Sequence, residues 1–108
     1  NGSEQALDWT HVHDTATGIV KLFEKESVKH RNFNISSGVL IDHLKIVEHV
    51  ADILGERHNV QLGPGPFVVR GAPLDISLAQ QELGFVPKYT DIREGLQDYW
   101  QWLKANAG

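Results

Sequence analysis

The sequence predicts a small α/β chain of about four helices with two to four short strands, α+β-like in layout and without an obvious βαβ unit. Three observations carry that expectation. A helix, an elbow and a second helix run from Leu74 to Leu103, punctuated by Gly84 and Pro87. An apolar-periodic run from about Leu40 to Leu54 stops at Gly55. The remaining ordered stretches are short runs such as Leu7–Val12 and Asn32–Ser36, the length of single strands.

Taken in order, Asn1 to Ala6 is polar and is expected to fray. Leu7 to Val12 reads as a short extended segment, after which Asp14 caps a helix with Ala16, Ile19, Val20 and Phe23 on its apolar face. That helix should end near Lys25 to Ser27, and Lys29, His30 and Arg31 follow as a basic turn. Asn32–Ser36 reads as a strand broken by Ser37-Gly38. In the next helix Leu44, Val47, Ala51 and Leu54 share one face, joined by Ile46, Val50 and Ile53. His58–Leu62 and Phe67–Val69 are expected strands on either side of the Gly63-Pro64-Gly65-Pro66 loop, the second ending at Arg70.

The C-terminal unit carries the clearest signals. Asp75 is a good N-cap, and Ile76, Ala79 and Leu83 recur at helical spacing. Gly84 stands where a left-handed residue ends a helix, and Pro87 prevents its continuation. Thr90 and Asp91 restart a helix, with Glu94 placed for a capping box. Leu96, Tyr99, Trp100 and Leu103 fall on one stripe, so Trp100 is expected in the core, while Trp102 lies off it.

Length and composition bound the function. At 108 residues the chain is a single domain, and it has no cysteine for disulfides or thiolate chemistry. A formal charge of −4 argues against nucleic acid as a partner, and no apolar run is long enough to span a membrane. No secretory signal is visible and a cytoplasmic location is expected. The chain begins at Asn1 and contains no methionine, from which a piece of something larger is expected.

The residues Asp75, Ser77, Ala79, Glu82, Leu83, Gly84, Phe85, Pro87, Tyr89, Glu94, Gly95, Leu96 and Trp102 resemble the C-terminal signature of extended short-chain dehydrogenases/reductases. These are NAD-dependent sugar-nucleotide epimerases and dehydratases. Leu78 stands where the family usually has a basic residue. The first segment is similar too: Asp8, Trp9, His11, Val12, Asp14 and Ala16 match, and so do Phe33 and Asn34 further on. His13 replaces an aspartate, and Leu7 replaces an arginine that in the family helps hold a diphosphate; a leucine cannot do that work.

The resemblance implies a substrate-binding C-terminal lobe, residues 1–108, without its NAD-binding domain. No glycine-rich turn follows a strand, and no Tyr-x-x-x-Lys pair is present. It further implies NAD or NADP in the parent enzyme, a nucleotide-sugar substrate, and no catalytic or cofactor-binding residue in this chain. The candidate substrate contacts are Arg70, His11, Trp9 and Asn34. The missing Rossmann domain, or a homodimer, would cover an exposed apolar face. Two other readings stay open. One is a stand-alone binding or assembly module. The other is a histidine metal protein built on His11 and His13, although no third ligand is placed by any motif, and no metal is expected.

Overall fold

The computed structural model describes residues 6–56, 63 and 71–107. The expected strands at 58–62 and 67–69, and Arg70, lie outside the described residues. Strand β1 (Ala6–Leu7) pairs antiparallel with β2 (Ile41–Asp42), in the register Ala6 to Asp42 and Leu7 to Ile41. Helix α1 spans Val12–Phe23, α2 spans His43–Leu54, a π-helix spans Ala79–Leu83 and α3 spans Ile92–Asn106.

Helix boundaries follow local chemistry. Asp42 caps α2 by accepting the Lys45 N–H at 2.8 Å, and Gly55 closes it at φ 71°. That left-handed conformation costs glycine little and an L side chain more. Asp75 accepts the Ser77 N–H at 2.9 Å and starts the turn that opens the π-helix. Gly84, at φ 68°, ends that helix, and its N–H and that of Phe85 both point to the Ala79 carbonyl. Asp91 caps α3 through the Arg93 N–H at 2.9 Å.

The core is small and sits on the C-terminal unit. Ile76, Ala79, Leu83 and Phe85 are buried, with Phe33 and Ile35 packed against them. Residues 32–36 are irregular and join no ladder among the described residues, so the expected strand there is not formed. Phe33 and Ile35 still point to the core, and Asn34 donates from Nδ2 to the Asp75 carbonyl at 3.0 Å. Ile35 lies so close to α1 that a Cβ on Gly18 would stand 2.7 Å from its Cγ2.

Helix α1 departs most from expectation. Its inward side is Asp14, Thr17, Gly18 and Lys21, while Val12, Ile19, Val20 and Phe23 are 75, 51, 53 and 83 % exposed. The apolar face expected to pack inward therefore faces out. Helices α2 and α3 meet along Val50, Ile53 and Leu54 on one and Leu96, Trp100 and Leu103 on the other, an open apolar groove. Arg93 reaches Asp52 across this pair at 3.4 Å. Trp100 is half-buried in the groove rather than in the core, and Trp102 is exposed. Among the described residues no helix is long and apolar enough to cross a membrane.

Candidate functional site

The site forms where the N-terminus of α1 meets the elbow before α3. Asp14, 1 % exposed, accepts the N–H groups of Lys88 at 2.8 Å and Tyr89 at 2.9 Å. Its carboxylate thus clasps the Pro87–Tyr89 elbow onto α1 instead of capping the helix. Asp8 does similar work nearby, accepting the Leu74 N–H at 3.2 Å. Both carboxylates hold together backbone segments more than sixty residues apart.

The cap of α1 is the imidazole of His11. Its Nδ1 accepts the His13 N–H at 2.9 Å, which places the ring proton on Nε2. Nε2 then donates to Asp98 Oδ2 at 3.0 Å, from α3. The ring stacks on Tyr89 with centroids 4.1 Å apart and planes 20° from parallel. His13 approaches the same tyrosine edge-on at 6.1 Å, and the Lys88 ammonium lies 5.3 Å from its centroid. With both nitrogens engaged, His11 has no free lone pair for a metal. Among the described residues no three His, Asp or Glu side chains are grouped to hold one.

Beside this stack opens a largely apolar cavity of about 240 Å³, walled by Trp9, His11, Tyr89, Ile92, Gly95, Leu96 and Tyr99. Flat rings and apolar faces fit such walls, and the Thr10 hydroxyl at the rim donates to the Asp8 carbonyl at 3.1 Å. Trp9, 41 % exposed, meets the His43 ring edge-on at 5.6 Å. The structure therefore brings Trp9 and His11 together on one cavity. Asn34 is not among its lining residues and is spent on Asp75, and Arg70 lies outside the described residues. Sequence reading did not single out Tyr89, Tyr99 or Asp98 for this site. The only signal available was aromatic residues on either side of a helix start.

The described backbone is similar in fold to part of two solved epimerase chains. Two solved structures of UDP-glucuronic acid 4-epimerase from Bacillus cereus superpose on 95 % of the chain. One is a tyrosine-to-phenylalanine variant with UDP-4-deoxy-4-fluoro-glucuronic acid and NAD (TM-score 0.76, 23 % identity), the other the enzyme with NAD (TM-score 0.72, 22 % identity). A UDP-glucose 4-epimerase from Corynebacterium glutamicum is 30 % identical over 103 residues, 91 % of this chain. No family model matches the chain. The chain spans about a third of these relatives: 30 % of the Corynebacterium protein and 33 % and 32 % of the two Bacillus chains. In sequence and backbone the chain is similar to the C-terminal portion of such epimerases.

Proposed function

We propose that residues 1–108 form one substrate-facing lobe of an NAD(P)-dependent sugar-nucleotide epimerase or dehydratase. The observation that carries this reading is the 30 % identity to a UDP-glucose 4-epimerase over 91 % of the chain. In this reading a dinucleotide-binding lobe holds the cofactor and the proton-transfer pair, and this lobe closes over the substrate in the cytoplasm. Hydride chemistry belongs to the cofactor. The lobe's part is to bind and orient, with Trp9 and His11 on the aromatic cavity and Arg70 as a further contact. The isolated chain is expected to be inactive.

One observation favours a substrate other than a diphospho-sugar. Leu7, where the family's arginine stands, is tied into the β1–β2 pair opposite Ile41. Titration of the chain with UDP, UDP-glucose and UDP-glucuronic acid, followed by Trp fluorescence and NMR, tests both points. Millimolar binding that weakens in Trp9→Ala and Arg70→Ala supports the reading. Absence of any shift at saturating ligand, from a chain that is folded by circular dichroism, would remove nucleotide sugars as the substrate class.

A further inference from the structure

His11 joins three segments of the chain, and each of its two ring nitrogens has a fixed task. Nδ1 accepts the His13 N–H at 2.9 Å and so caps α1. Nε2 donates to Asp98 Oδ2 on α3 at 3.0 Å, and the ring face lies on Tyr89 of the elbow. The side chain is 12 % exposed, so little water stands ready to replace either contact. Each of these contacts is made by described residues of the chain itself.

The two tasks together fit only the neutral ring. A second proton has one place to go, Nδ1, and there it would point at the His13 N–H, donor against donor. Turning the ring over gives no relief, because both nitrogens of an imidazolium donate. The positive end of the α1 dipole opposes the added charge on that side, while the Asp98 carboxylate favours it on the other. The remaining titratable groups around the ring supply no substitute acceptor. The His13 ring stands 6.4 Å away between centroids, and both Asp14 oxygens are bonded to the Lys88 and Tyr89 N–H groups. The Lys88 ammonium, a donor, lies over Tyr89.

We infer that His11 is an acid-sensitive latch, whose protonation keeps the ring on Asp98 and Tyr89 and releases the first turn of α1. Trp9 and Val12, on either side of His11 in the sequence, line the same cavity as Tyr89 and Leu96. In acid the cavity therefore loosens on its α1 side and holds on its α3 side. Histidine is the side chain suited to such a device, since its charge ordinarily changes between pH 5 and 8. The inference does not rest on the epimerase reading.

The test is NMR of the 108-residue chain titrated from pH 8 to pH 5. The ¹⁵N shifts of the imidazole report its protonation, and hydrogen exchange, corrected for the intrinsic pH dependence, reports protection of the His13 amide. Over the step in which the ring protonates, that protection should fall roughly fivefold to tenfold, the size of a lost cap. The Lys45 amide, capped at 2.8 Å by the Asp42 carboxylate, should keep its protection throughout. His11→Asn offers a cap acceptor that does not titrate, so its residue-13 amide should stay equally protected from pH 8 to pH 5. Asp98→Asn keeps an acceptor for Nε2 without the charge, and in acid its ring should leave Tyr89 as well, with loss of the His11–Tyr89 cross-peaks. A ring that stays neutral down to pH 5, one that protonates with the His13 amide still protected, or an equal loss of protection in His11→Asn would each overturn the inference. A protonated ring that keeps its Tyr89 cross-peaks in Asp98→Asn would overturn the part given to Asp98.

Discussion

Two regions of the chain use the same kind of apolar periodicity in opposite ways. In the C-terminal unit, Ile76, Ala79 and Leu83 recur at helical spacing and all three are buried, with Phe85 beside them. In α1, Ile19, Val20 and Phe23 recur just as regularly and all three are exposed. The difference is not in propensity. The π-helix is held by its apolar side chains, whereas α1 is held by a carboxylate, Asp14, and by the bare backbone of Gly18 against Ile35. Periodicity shows that a helix has an apolar face; what the other face is bonded to decides where that face points.

The largest effect expected from breaking this contrast is at Phe85, which is 0 % exposed. Phe85→Ala should cost about 3–5 kcal/mol, a large share of what a small domain has in total. The same truncation at Phe23, 83 % exposed, should change stability by less than about 0.5 kcal/mol. Urea unfolding of the two variants side by side measures the gap. Equal losses would mean that α1 does not pack as described.

Asp14→Ala comes next. It strands two backbone N–H groups in a part-buried site, for a cost of about 2–3 kcal/mol. The effect should extend to the cavity, because the clasp delivers Tyr89 to its stack on His11. The His11 and Tyr89 ring-current shifts in the NMR spectrum should be lost with it. A variant that loses stability but keeps those shifts would show that the stack positions itself. Gly18→Ala tests the other fastening. Alanine favours a helix by about 1 kcal/mol, yet its Cβ would lie 2.7 Å from Ile35 Cγ2. Overpacking of about 1–3 kcal/mol should win, for a net loss near 1 kcal/mol. A gain in melting temperature would mean that Ile35 yields freely.

How much of this was legible follows from distance along the chain. Gly55, Gly84, Asp75 and Asp91 act on neighbours within a few residues, and the structure has each at a helix end. The expected capping box is the exception: Asp91 is bonded to Arg93 rather than to Glu94. Leu7 to Val12 was read as extended because its residue types favour strands. Only Ala6–Leu7 pairs, with a segment about 35 residues away, and the chain then turns so that His11 caps α1. An imidazole in place of a Ser or Asp cap leaves no familiar signal. The site is half legible for the same reason. Trp9 and His11 come from one local segment, but Tyr89 and Asp98 stand 75 and 87 residues from the groups that fasten them, Tyr89 to Asp14 and Asp98 to His11.

The smallest effect belongs to a third fastening, between the basic turn and the π-helix. Glu82 accepts hydrogen bonds from the His30 ring at 2.6 Å and from the Lys29 backbone N–H. The His30 side-chain bond is the main reason its carboxyl is held below the usual glutamate range, against a desolvation effect that raises it. Between the lowered folded value and the ordinary unfolded one, the unfolded chain binds more protons, so stability rises with pH across that window. The contribution is fully present above the ordinary glutamate pKa of about 4.3 and is lost as pH falls through the folded value. Asp75, lowered by its bonds with Ser77, acts in the same direction over a neighbouring range. Glu82→Gln should therefore flatten part of the acid-side slope of stability, and Glu82→Gln with Asp75→Asn should flatten more of it. Chemical denaturation at a series of pH values from 3 to 6 measures both. Because Glu82 is tied to the turn and not to α1, the flattening should appear equally in an Asp14→Asn background. If it vanished there, the basic turn and the N-terminal clasp would have to be one cooperative fastening rather than two.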